Sequence, residues 1–213
     1  MKWVLVLFVL ALATAGLAPA QNVSNTYLLP EAASASNRVP NYQPIITTER
    51  RRWFLTSTVG PTSLLLAGPL SAAIGTARNI PAEYGTHWDG FGNRNGMRLT
   101  GIATGNLIEA GLGAVWGEDP RYFPSPTRGV WPRVKYVIRT TFLAPNRDGH
   151  WHPAYARFAG DVGNNFLSNS WRADSEATTS GAVGRSVWGV VGRMGSQAFA
   201  EFWPDVQKKI LRK

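Results

Sequence analysis

Small residues recur at four-residue intervals in two stretches of this chain, and no other feature limits its fold so tightly. Gly101, Gly105, Gly113 and Gly117 lie on one such row, with Glu109 at the missing step and the pair Gly92 and Gly96 upstream. Residues four apart share a face of a helix, and a row of minimal side chains lets a second backbone approach closely. Each glycine costs a helix about 1 kcal/mol relative to alanine, so such rows persist only where packing compensates. The helix spans 82–117 on this reading; the alternative is a loop over 85–96 with the helix starting near Asn95. A second row, Ser180, Gly184, Gly192 and Ser196, is interrupted by Trp188. Two such rows predict two helices that face each other. The expected fold class is all-α: a single domain over 47–213, of five or six helices packed through Gly-rich faces.

The rest of the chain divides around these helices. Met1-Lys2, the run Trp3 to Leu17 and Ala18-Pro19-Ala20 match a secretory leader over 1–20. That run is short of the ~20 residues needed to span a hydrocarbon core. Residues 21–46, rich in Asn, Ser, Ala and Pro, read as a flexible tether. Thr47 or Thr48 can cap a helix opening at Glu49. From Leu55 to Ala77 no residue is charged, which is long enough for a membrane span. Seven Ser and Thr residues with Pro61 and Pro69 favour instead two short helices buried in the domain. Helices are expected over 130–143 and 154–171, with loops over 118–131 and 145–153. The last helix opens at Ser175, with Pro204 bending or restarting it.

Composition excludes several chemistries. The chain has no Cys, so disulfide frameworks, thiolate zinc sites and cysteine nucleophiles are ruled out. The 22 glycines form neither a dinucleotide fingerprint nor a phosphate loop, so no nucleotide and no cofactor are expected. Asp89 to Gly96 fails as a calcium loop, because Phe91 and Ile102 fall where carboxylates are required. No nucleophile-elbow motif accompanies the serines. The net charge of +9 does not argue for nucleic acid, because the basic residues are dispersed. Its clusters, Arg50, Arg51 and Arg52 with Lys208, Lys209, Arg212 and Lys213, suit an anionic surface such as lipid headgroups or polyanionic wall material.

Two constellations could carry chemistry. Asp148, His150 and His152 would share a face in an extended segment and could meet one metal ion; a polar loop beside Trp151 is the plainer reading. Glu109 sits amid Leu107, Ile108, Leu112 and Val115, where a carboxyl has a raised pKa and can act as a general acid. His87 and Glu118 are the other acid-base candidates. The competing reading gives Glu109 a buried ion pair with Arg185 or Arg193. Glu118 and Asp119 diverge and, with Arg121, organise the loop at the helix end.

The segments Glu83-Tyr84-Gly85-Thr86-His87-Trp88-Asp89-Gly90-Phe91-Gly92, Gly117-Glu118-Asp119-Pro120-Arg121-Tyr122-Phe123 and Glu201-Phe202-Trp203-Pro204-Asp205 resemble an uncharacterised group of exported bacterial envelope proteins with no assigned activity, over 47–206. The resemblance implies export and an envelope setting and transfers no catalytic residue. The chain is therefore expected to be an exported, non-enzymatic helical protein of the periplasm or cell envelope, associated with a membrane surface or another envelope protein, or with itself as a homo-oligomer. The alternative is a periplasmic hydrolase or lyase acting on envelope polymer with Glu109 as general acid. A binder of a small ligand between helices is a third class that the residues do not separate.

Overall fold

The computed structural model describes residues 37–211; the leader, residues 21–36 of the tether, Arg212 and Lys213 lie outside them. Six helices and one small hairpin make up the fold. Helix α1 (Thr47–Val59) is followed by a π-helical turn (Thr62–Ala67) and α2 (Gly68–Ala77). A 3-10 turn (Ala82–Tyr84) leads to α3 (Trp88–Trp116). Helix α4 (Val130–Phe142) runs into β1 (Leu143–Pro145), which pairs antiparallel with β2 (Trp151–Pro153). Helix α5 (Tyr155–Leu167), a 3-10 turn (Ser168–Ser170) and α6 (Thr179–Leu211) complete the chain.

Local chemistry sets these boundaries. The N–H of Ile46 donates to the Glu49 carboxylate at 3.1 Å, so an acidic side chain reaching back opens α1, in place of a Thr47 or Thr48 hydroxyl. Gly117, at φ 78°, takes the left-handed conformation that ends α3. Helix α6 opens four residues later than Ser175: the Thr178 hydroxyl accepts the Gly181 N–H at 3.0 Å. It then continues through Pro204 without a restart. The segment expected as a loop over 145–153 holds the hairpin, with Ala144 opposite His152.

Helix α3 is central, packing on α5, α2 and α1, while α6 packs on α5 and α4. The two small-residue rows therefore do not face each other. The partner of the α3 row is Gly160 of α5, where an added Cβ would stand 2.7 Å from the Gly105 carbonyl oxygen. On α6 an added Cβ at Gly184, Gly192 or Gly195 would meet nothing within 4 Å. The inward face of α6 is instead the polar one, bearing Arg193, Gln197 and Glu201, and hydrogen bonding to the neighbouring helices fixes its rotation.

Inside and outside are correspondingly inverted. The buried apolar residues are Val39, Val137, five alanines and the prolines Pro81, Pro120 and Pro145; among the described residues no Leu, Ile, Met, Phe, Trp or Tyr is fully buried. Arg94, Glu109, Asp119, Arg157 and Glu201 are buried instead. The uncharged run 55–77 shows the same inversion and corrects the expectation of two buried helices. Thr58, Ser63, Gly68 and Ala72 face inward, whereas Leu55, Val59, Leu65, Leu70 and Ile74 are exposed. Small residues win the inward positions because α3 approaches closely there: a Cβ at Gly68 would stand 2.5 Å from Asn95 Oδ1. The end of the expected tether is docked. The Val39 N–H donates to the Gly149 carbonyl at 2.9 Å, and the Tyr42 ring lies against Gly149.

Candidate functional site

The acid-base candidates separate on the fold. Glu109 is 3% exposed, and both of its oxygens are occupied. Oε1 accepts from Arg157 Nε at 3.2 Å and Oε2 from Arg193 Nη2 at 2.9 Å, and the latter nitrogen also reaches Asp161 Oδ1 at 3.2 Å. Arg157 Nη1 in turn donates to the carbonyls of Thr140, Thr141 and Leu143 at the end of α4. One carboxylate thus ties together α3, α4, α5 and α6. Arg193 is a partner anticipated from sequence; Arg185 is not, since it donates to the Glu176 and Asn165 carbonyls. Arg157 escaped the sequence reading, although its spacing of four from Asp161 on a small-residue helix was a usable signal. His87 is exposed at the start of α3, about 33 Å along the helix from Glu109 at 1.5 Å per residue. The two cannot act on one substrate atom.

Glu118 is buried and serves a helix end. Both its oxygens lie 3.0 Å from the N–H of Ala156, in the first turn of α5, where a carboxylate is favoured. Burial pushes its carboxyl above the usual value, against the opposing pull of that N–H. Asp119 diverges from it as expected, accepting from Arg121 Nη2 at 2.7 Å and the Tyr42 hydroxyl at 3.1 Å. Burial first, and then the Asp119 charge, push the Tyr42 phenol up to about 12. Arg121 also pairs with Glu49 at 3.3 Å, closing the loop onto α1.

The remaining candidates are structural or superficial. Among the described residues no three His, Asp or Glu side chains gather as a metal site requires, so Asp148, His150 and His152 do not form one. The turn backbone at Asp148 and His150 donates to Asn146 Oδ1 at 3.0 and 2.9 Å, and His150 bridges to Arg38. The hairpin anchors the incoming chain. Of the basic clusters, Arg51, Arg52, Lys208 and Lys209 are exposed, as an anionic-surface role needs. Arg50 turns inward: Nη2 donates to the Glu118 carbonyl at 2.7 Å, and Nη1 occupies the space a side chain at Gly113 would take.

The surface itself is the most distinctive feature. Along α6 the outward face from Val183 to Trp203 bears Val187, Trp188, Val191 and Phe199 and no charge. That stretch is about 30 Å long, the thickness of a bilayer hydrocarbon core. Its charged residues, Arg185, Arg193 and Glu201, all turn toward protein partners. Exposed apolar side chains continue over the other helices, with Leu65 and Leu70 near and in α2, Ile138 in α4 and Phe166 in α5. Among the described residues no single helix is long and apolar enough to cross a membrane, whereas the bent pair Thr47–Leu65 and Gly68–Ala77 is, by length and composition. Compared with known protein families, with curated proteins and with solved structures, the chain matches none.

Proposed function

We propose that this chain is an exported helical envelope protein, without catalytic activity of its own, that seats its outward apolar faces in lipid. The observation that carries this reading is the inverted distribution: large apolar side chains outside, and ionised groups inside in hydrogen-bonded pairs. In water-soluble chains Leu, Ile, Val and Phe are the residues most often buried. A protein partner is a weaker explanation, because the apolar faces lie on α1, α2, α4, α5 and α6, and a standard interface covers only about 800 Å² per partner. Averaged hydropathy underrates α6, since its inward arginines and its glycines dilute a face that carries no charge. Arg51 and Arg52 at one helix end, and Lys208 and Lys209 at another, supply cations for anionic headgroups.

The test is fractionation of the native producer with a high-salt wash of the membrane pellet, then detergent. Release by detergent alone is the expected outcome. Release by salt would mean attachment through the basic residues only, and recovery in the soluble fraction would refute the lipid reading.

A further inference from the structure

Beside the N-terminal half of α3, a cavity of about 470 Å³ opens between α2, α3, α6 and the segment that follows α5. Its volume falls in the range of small-molecule sites. Five arginines line it: Arg78 from the end of α2, Arg94 and Arg98 from successive turns of α3, Arg172 from the loop after α5, and Arg185 from α6. The one carboxylate in the lining, Glu176, is paired with Arg172 at 2.8 Å. Asp161, on the neighbouring α5, is held by Arg193.

The other four guanidiniums have no carboxylate partner among the described residues. Arg94 spends its donors on the neutral carbonyls of Ile80, Pro81 and Gly85. Arg185 does likewise with Glu176 and Asn165, and its Nε is buried with no acceptor. Arg78 and Arg98 donate to no described residue, and both are exposed to the cavity's solvent. At Glu109 and Asp119, by contrast, buried charge is neutralised by arginine partners. Here the end of α2, α3 and α6 deliver four uncompensated like charges to one space, an arrangement that disfavours itself unless an anion enters.

Apart from Ser71 and Tyr84, whose hydroxyl accepts from the Ala173 N–H, the rest of the lining is apolar. Ile74, Ile80 and Trp188 border the cavity and are 47%, 57% and 73% exposed, so they lead from the arginines to the outer surface. We propose that the cavity binds the phosphate of an amphiphile whose headgroup carries a net negative charge, with no cation of its own to cancel it, the guanidiniums on the phosphate oxygens and the hydrocarbon chain along Ile74 and Trp188. Guanidinium groups suit this ligand because their planar fork meets phosphate oxygens two at a time. The phosphate half stands on the arginines alone. The chain half rests on the lipid-facing reading above.

The test titrates the full-length protein, in a neutral detergent, with dihexanoyl phosphatidylglycerol, dihexanoyl phosphatidylcholine and inorganic phosphate, following Trp fluorescence. Phosphatidylglycerol is expected to bind, phosphatidylcholine not to, and inorganic phosphate to bind more weakly and compete. Arg98→Gln is expected to weaken binding by about tenfold to a hundredfold, as loss of a charge-assisted contact does. Arg98 donates to no described residue, and the repulsion of Arg172 opposes the attraction of Asp161 there, so its variant should keep a melting temperature close to wild type without ligand. Equal binding of both lipids, or no binding of phosphatidylglycerol, overturns the proposal; so does phosphate binding as tightly as the lipid, which would assign the cavity to a soluble anion. An Arg98→Gln variant that binds like wild type overturns it too. Binding in detergent does not depend on where the protein resides, so this result and the fractionation fail independently.

Discussion

Replacing Glu109 by Gln keeps the shape of the side chain and removes its charge. Four groups share that region, Glu109 and Asp161 against Arg157 and Arg193, and they balance. After the substitution Arg157, 3% exposed and held by three carbonyl oxygens, has lost its only carboxylate. Removing one partner of a buried ion pair costs about 3–5 kcal/mol. For a chain of this size each kcal/mol shifts the melting temperature by about 2–4 °C, so thermal unfolding should begin about 6–20 °C lower. The assay is a thermal melt of wild type, Glu109→Gln, Arg193→Gln and the double variant in one detergent. The double variant restores charge balance, and its loss should fall short of the summed single losses by about 0.5–3 kcal/mol. A Glu109→Gln midpoint within 2 °C of wild type, or strictly additive losses, would refute the ion-pair account. A fully stable Glu109→Gln protein that had lost a measurable turnover would instead make Glu109 a working acid.

Four further outcomes are expected. Val191→Asp, on the outward face of α6, should cost about 2.5–3.5 kcal/mol if that face meets lipid and within about 0.5 kcal/mol if it meets water; the yield of membrane-fraction protein separates the two. Gly160→Ala should destabilise by about 1–3 kcal/mol, because the new methyl meets the Gly105 backbone, which cannot give way. Gly192→Ala, with open space around it, should instead be neutral or stabilising by up to about 1 kcal/mol in the same melts. Finally, the Tyr42 phenol titrates at about 12 in the fold against an ordinary value of 10. The folded state then holds this proton more tightly than the unfolded chain. The stabilisation is complete below pH 10 and is lost as pH rises from 10 to 12. Tyr42→Phe should reduce the loss seen in alkaline unfolding without abolishing it, because burial also raises the Tyr122 and Tyr136 phenols.

The helical class and most helix positions were legible because glycine spacing, helix-ending Gly117 and the proline-rich loops are local signals. The direction in which each helix faces was not. A row of small residues says that something comes close, and α5 rather than α6 took that place on α3 because Gly160 admits the Gly105 carbonyl. For α6 the deciding residues were Arg193, Gln197 and Glu201, whose partners lie 32 or more positions away in sequence. The run 55–77 misled for a related reason. Its Ser, Thr and Pro residues argue for short buried helices, whereas which of its residues face inward is set by the approach of α3, and Thr58, Ser63 and Ala72 hold the interior. The arginine cavity leaves almost no trace in the sequence beyond the Arg94–Arg98 spacing, because its other contributors are scattered from Arg78 to Arg185.

The four-way junction at Glu109 also constrains how the molecule can come together. Its two acidic and two basic groups arrive on three different helices, and Arg193 is the last of them to leave the ribosome. Until α6 docks, the half-built junction holds Glu109, Asp161 and Arg157 and carries an excess negative charge. A nonpolar medium rejects such a fragment far more strongly than the balanced quartet. On the lipid-facing reading proposed above, helices α3 and α5 would then wait at a wet boundary for α6, and entry into lipid would be one concerted step in place of helix-by-helix insertion.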